Sequence, residues 1–342
     1  MGPMGRMIGA AALMLGVAAC AAHAQQPAAS PFVVGHPLGL PVVPAVDGAF
    51  RAISTNVKVY GAVYSAESCS YDTDRGVIVL PNRGVTPDVR TNDAWVSFLN
   101  HDGTVHTARW LGVQTPVERA AMTPPLVLNE PNGSDIAGGL LYVTDRSIPG
   151  APGQPSVAMV RWFDLRTGVP VGEIRVDGVD WFNDLEVADD GTIYATRTGD
   201  RTPQRNAATW QIWKITPDGV ASVFAQGAPL DQPNGIAFDP EGNIVVNNVG
   251  DDAVVTFSPA GRVLKTEHAA QPYSDGLVIL PDGTKYVSSV GNGGISRIRP
   301  GQPAELIATN IPNPASMCLD PVANQLVIPM NANNGVAFLP LD

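Results

Sequence analysis

Apolar positions along this chain come in short runs separated by turn residues, and the runs recur in a fixed phase. Three stretches show it most clearly: Asn183-Asp184-Leu185-Glu186-Val187, Asn234-Gly235-Ile236-Ala237-Phe238 and Asp275-Gly276-Leu277-Val278-Ile279. Each opens on Asn or Asp and continues as a short apolar strand. Seven residues after each opening comes an acidic-Gly pair, Asp190-Gly191, Glu241-Gly242 or Asp282-Gly283, and then a second β-rich run. Such a pair between apolar runs is a hairpin signal. It predicts two-residue type I′ turns, which need positive φ at both central positions.

Weaker copies flank these three. Asn132-Gly133 precedes Leu140-Leu141-Tyr142-Val143, with Gly138-Gly139 as the turn. Glu67 precedes Ser70-Tyr71 and then Val77-Ile78-Val79-Leu80, and Ser316-Met317-Cys318-Leu319 precedes Gln325-Leu326-Val327-Ile328. The openings fall at 67, 132, 183, 234, 275 and 316, spaced by 41 to 65 residues. A second hairpin recurs in most copies, as in Ile212 to Ile215, Asp218-Gly219, Val220. One repeat is therefore four short antiparallel strands, and six repeats predict an all-β fold, a six-bladed β-propeller of four-stranded antiparallel blades. The last repeat has only three strands, ending at Gly335 to Leu339. Its fourth is expected from Asn56-Val57-Lys58-Val59-Tyr60 near the N-terminus, closing the ring and removing an exposed edge. Closure would set Cys69 beside Cys318 on neighbouring inner strands, either as a disulfide or as two buried thiols.

Composition narrows the partners. Only 15% of residues are charged, the net charge is −11, and no run of Lys or Arg occurs. A nucleic acid or an anionic membrane surface is disfavoured as a partner, since both call for a basic patch. Residues 1–24 read as a signal peptide: Arg6, an apolar run from Met7 to Ala19, and Ala22-His23-Ala24 as the cleavage site. Val17-Ala18-Ala19-Cys20 also fits a lipobox, which would lipidate Cys20. The protein is expected to be periplasmic or secreted, with an outer-membrane lipoprotein as the alternative. No segment is long enough to span a membrane. Residues 25–50 read as an extended segment and residues 51–342 as the propeller, expected as a monomer.

The candidate chemistry sits at the strand openings. The first residue of each innermost strand borders one mouth of a propeller's central channel, so Glu67, Asn183, Asn234 and Asp275 would converge on the axis. All four offer oxygen, and two are acidic, which matches a divalent cation. Ca²⁺ is the first expectation, with Mg²⁺, Mn²⁺ or Zn²⁺ as alternatives. The competing reading is that Asn-Gly and Asp-Gly are ordinary turn dipeptides. Asn132 would line the channel, Ser316 would be structural, and Trp181, two residues before Asn183, would sit at the mouth. No H-E-x-x-H, G-x-S-x-G or P-loop motif is present. His101 and His106 flank a turn and read as surface residues.

These repeats, ending in Gly294-Ile295-Ser296-Arg297-Ile298-Arg299-Pro300-Gly301, resemble the gluconolactonase, or regucalcin-like, family over most of residues 56–339. The resemblance implies a six-bladed propeller with one axial divalent metal held by Glu67, Asn183, Asn234 and Asp275. It also implies hydrolysis of a sugar lactone or related ester, with Asp275 as a candidate general base. Three departures stand out: Ser68-Cys69 replaces the family's Gly-Pro, Trp181 stands where the family has a substrate-binding Arg, and Leu280 replaces an Asp. They point to an altered substrate shell around Trp181 and Asn132, with loop residues near Arg197–Arg205 shaping the pocket, and to a more apolar lactone or ester. The expected function is metal-dependent lactone opening. The alternative is a non-enzymatic binding or scaffold propeller with a structural axial metal.

Overall fold

The computed structural model describes residues 62–84, 92–148 and 155–342. Six antiparallel sheets follow one another along the chain, five of four strands and the last of three. Their innermost strands are Ser70–Asp72, Ser134–Ala137, Leu185–Val187, Pro233–Phe238, Ser274–Ile279 and Cys318–Asp320. Each touches the next, and the sixth touches the first, so the sheets form a closed ring: a six-bladed β-propeller. Every predicted opening leads into one of these strands. The expected closing strand at 56–60, the leader, Cys20 and the 25–50 segment all lie outside the described residues.

Burial explains the run pattern. The second strands Val77–Asn82, Ile244–Asn248, Lys285–Ser289 and Gln325–Pro329 are buried throughout, because neighbouring blades cover both faces. A strand covered on both faces has no polar side to alternate with, so it reads as a continuous run. The outer strand Val263–His268 faces solvent along most of its length. Between the third and fourth blades, Tyr194, Trp210, Ile212, Ile236, Val246 and Phe257 pack as one cluster.

The turns differ from expectation. At Asp190-Gly191, Glu241-Gly242 and Asp282-Gly283 only the glycines have positive φ, at 82°, 77° and 83°. Ala188 donates its N–H to the Thr192 carbonyl at 2.8 Å, and Gly191 donates to the Ala188 carbonyl at 2.8 Å. This is the three-residue hairpin with a left-handed glycine closing it, not a type I′ turn. The acidic residue is there for its side chain: the Asp190 carboxylate accepts from the Thr192 N–H at 2.9 Å. Gly138-Gly139 does have positive φ at both positions, 56° and 77°.

An unpredicted helix, Pro116–Ala121, fills the long first interval. Thr115 and Glu118 form a capping box around Pro116. The ring closes at blades one and six. Cys69 and Cys318 form a disulfide with Cα atoms 5.5 Å apart, which decides the alternative left open by the sequence. Beside it, Ser316 donates its N–H to the Glu67 carbonyl at 3.0 Å, and His101 Nδ1 lies 2.9 Å from the Asp320 carboxylate.

Candidate functional site

The residue after each strand opening explains how close the blades come. A Cβ added to Gly276 would lie 2.5 Å from the Ala315 carbonyl oxygen, and one on Gly235 would run into the Asp275 carbonyl oxygen. Neither glycine has positive φ. They are glycines because the next blade's backbone occupies the space of a side chain. Asn234-Gly235 and Asp275-Gly276 are therefore strand starts at the tightest blade contact, and the turn reading of these pairs fails.

Polar side chains from the second strands pin these starts in place. Thr144 donates to the Asn183 carbonyl at 3.0 Å, Asn247 Nδ2 to the Gly276 carbonyl at 3.0 Å, and Ser288 to the Ala315 carbonyl at 2.9 Å. Thr196 likewise donates to the Asn234 carbonyl at 2.5 Å. Each also accepts an N–H from its own blade: Gly133, Gly235, Gly276 and Asp184 donate to Thr144, Asn247, Ser288 and Thr196. One side chain thus ties two blades at the height of the candidate ligands. The sequence carries the signal, a Ser, Thr or Asn 13 residues after Asn183, Asn234 and Asp275, but it was not read.

The four candidate ligands are buried, with Glu67, Asn183, Asn234 and Asp275 only 1–5% exposed. Each keeps one buried oxygen that accepts no hydrogen bond: Glu67 Oε2, Asn183 Oδ1, Asn234 Oδ1 and Asp275 Oδ1. The Asn183 amide nitrogen is spent on Thr198 Oγ1 at 3.0 Å, which leaves its oxygen as the free end. An unsatisfied buried polar atom costs about 1–3 kcal/mol, so four from one repeated position ask for a compensating partner. Hard oxygens with two acidic groups fit a divalent cation such as Ca²⁺. Among the described residues no group of three His, Cys, Asp or Glu is arranged to hold a metal, and this set has only two acids.

The carboxyls feel one another. Burial, then the Glu67 carboxylate, hold the Asp275 pKa well above the usual range, with Arg201 opposing. Burial raises Glu67 too, against the pull of Arg83 and Arg201. Asp184 is pushed up to about 8 by burial and by Glu67, while the Ser316 hydroxyl donates to it at 3.0 Å. Ser316 is structural, as expected, although its partner Asp184 belongs to the axial group. Asp184 stands where other repeats have glycine. Below the mouth, the inner strands enclose a cavity of about 230 Å³ that Asp184, Glu186, Asp135 and Ser316 help to line.

Two arginines stand at the mouth on loops outside the repeat phase: Arg201 belongs to the stretch near Arg197–Arg205 expected to shape the pocket, and Arg83 was not anticipated. Arg83 donates to Asn132 Oδ1 and to Asn331 Oδ1 (3.4 Å). The Asn132 amide nitrogen donates to the Phe182 carbonyl at 3.3 Å, so this side chain is occupied at both ends. Trp181 is half-buried, with the Arg146 guanidinium 4.6 Å from its ring and Arg201 5.2 Å away. A guanidinium thus lies beside position 181, although the residue there is Trp. His106 is exposed, and His101 serves the seam with Asp320 rather than this site.

Comparisons with known proteins bear on the fold and on part of the chain. Residues 177–330 match the family described as SMP-30/Gluconolactonase/LRE-like region. That span holds Asn183, Asn234 and Asp275 but not Glu67. No curated protein matches the chain. A gluconolactonase from Xanthomonas campestris superposes with a TM-score of 0.56 at 20% identity, covering 82% of this chain and 87% of its own. A structural-genomics target grouped with the gluconolactonases gives 0.54 at 17% identity, covering 82% and 92%. A streptogramin B lyase gives 0.50 at 14% identity, covering 84% and 85%. At these identities the structural likeness establishes the propeller.

Proposed function

We propose that this six-bladed propeller, whose residues 177–330 match the SMP-30/gluconolactonase/LRE-like family, opens a lactone by metal-dependent hydrolysis at the axial mouth. The observation that carries this reading is the set of four partnerless buried oxygens on Glu67, Asn183, Asn234 and Asp275. These residues would hold one divalent cation, with Ca²⁺ first among the candidates. When bound, such a cation supplies Lewis acidity toward an ester carbonyl.

The chain's own residues do the rest. Two neutral amides, Asn183 and Asn234, hold the position without adding negative charge. Asp275 accepts the proton of the attacking water, a contribution of about 10²–10⁴-fold for a placed general base. The water oxygen bonds to the carbonyl carbon, the ring C–O bond breaks, and the ring oxygen takes a proton, giving a hydroxy acid. Trp181 and Arg201 wall one side of the pocket, and Asn132, fixed by Arg83, walls another. The disulfide supports export to an oxidising compartment.

The same fold carries a lyase, and fold does not decide chemistry. The test is a lactone panel with chelator and ion add-back, read by product mass. Hydrolysis predicts the mass gain of one water, lost with chelator and restored by one ion. Ring opening without that gain would move the reaction to elimination. Ion-dependent melting with no turnover would leave a binding or scaffold propeller.

A further inference from the structure

The chain as a whole is acidic, at −11, yet the candidate site is overlooked by arginines, and they are not alike. Arg197 pairs with Asp180 at 3.2 Å, Arg205 with Asp231, and Arg146 lies 3.7 Å from Glu130. Arg83 and Arg201 make no ion pair among the described residues. Arg83 is held by two neutral amide oxygens, those of Asn132 and Asn331. Amides fix a guanidinium without cancelling its charge. Its Nε is buried and has no partner. Arg201 reaches the mouth against the Trp181 ring and is exposed there.

Both guanidiniums act electrostatically on Glu67 and on Asp275. Neither is within ion-pair distance of those carboxylates, whose free oxygens stay partnerless. Arg83 and Arg201 are therefore not counter-ions closing down the two acids. A divalent cation held there would balance Glu67 and Asp275, and the charges of Arg83 and Arg201 would remain uncancelled. Planar guanidiniums with free N–H groups match a carboxylate in a way that a hydroxyl or an alkyl group does not.

We infer that Arg83 and Arg201 select a substrate carrying a second, non-reacting carboxylate, so that the preferred lactone is an anionic one. This rests on the lactonase reading for the reaction, though not for the binding of the anion. It departs from the sequence expectation of a more apolar substrate, because Arg201 sets a guanidinium beside Trp181.

The test uses full-length protein loaded with Ca²⁺ and two matched probes, γ-butyrolactone-γ-carboxylate and its carboxamide, with glutarate as a non-hydrolysable carboxylate in calorimetry. The expected result is a KM lower by about 10-fold or more for the carboxylate, the scale of a charge-assisted hydrogen bond. That ratio should collapse toward one in Arg201→Gln and in Arg83→Gln, and Arg201→Lys should recover part of it. Glutarate should bind the parent protein and lose most of its affinity in both Gln variants. Arg201 is exposed, so its variant tests the inference even if Arg83→Gln fails to fold. Equal KM values for the two probes, or glutarate binding indifferent to Arg201, would overturn it. If neither lactone opens, the hydrolase reading fails alone: glutarate binding that depends on Arg201 still upholds the anion site, and absent glutarate binding ends that too.

Discussion

Acidic residues in the exposed turns and at the axis obey opposite physics. Asp102, Asp164, Asp190 and Asp282 sit in exposed turns, and each accepts from a Thr two or three residues on. Those bonds hold their carboxyls below the usual range. At the axis, Glu67, Asp184 and Asp275 are buried and crowded, and their carboxyls are raised. The turn acids are satisfied by their own loops. Of the axial ones, Glu67 and Asp275 each keep an oxygen without a partner, whereas Asp184 is held by the Leu185 N–H and the Ser316 hydroxyl. The residue type is shared, and the position in the repeat decides whether it shapes a turn or awaits a ligand.

The largest contrast should come from paired substitutions across that divide. Asp275→Ala should lose bound divalent ion and at least about 10²-fold of lactone-opening rate, while Asp282→Ala should keep both. Elemental analysis and a hydrolysis assay check this, and equal losses would erase the distinction. Next is the seam. Breaking the disulfide with Cys69→Ser and Cys318→Ser should cost about 2–5 kcal/mol, because it closes most of the chain into one loop. Denaturant melts measure it. Gly276→Ala should cost about 1–3 kcal/mol by forcing blades five and six apart, whereas Gly242→Ala, with nothing near its Cβ position, meets only the penalty of its positive φ.

The smallest effect is a pH dependence. Burial alone would raise the Asp320 pKa, but hydrogen bonds from Gln325 and His101 outweigh it and leave the carboxyl lowered. A folded pKa below the unfolded value of about 3.9 adds stability above that value, and the gain is lost as pH falls through the folded pKa. Asp320→Asn should therefore lessen the loss of Tm on acidification below about pH 4. An unchanged acid limb would mean that this contact contributes nothing to closing the ring.

Much of the architecture was legible because every blade repeats one phase: an opening residue, an apolar strand, a turn, a buried strand. That phase singled out Asn183, Asn234 and Asp275 as candidate ligands, while Glu67 came from a weaker copy and from the family resemblance. What escaped was what does not repeat. Arg83 enters from a single loop, and proximity in space leaves no mark on spacing; the loop near Arg197–Arg205 was expected at the pocket, but Arg201 was not singled out within it. Asp184 was passed over as part of a strand, although its place beside Ser316 makes it axial. The Thr115–Glu118 capping box was visible in the sequence and overlooked among β signals. The turn type was misjudged because an Asp before Gly was credited with positive φ, when it serves there as a hydrogen-bond acceptor.

The central claim is that the four partnerless oxygens hold one divalent ion. Calorimetric titration of chelator-treated protein with Ca²⁺ tests it most directly. The account predicts one equivalent bound by the parent chain and none by Glu67→Gln or Asp275→Asn. No binding by the parent, or binding that survives both substitutions, would contradict it.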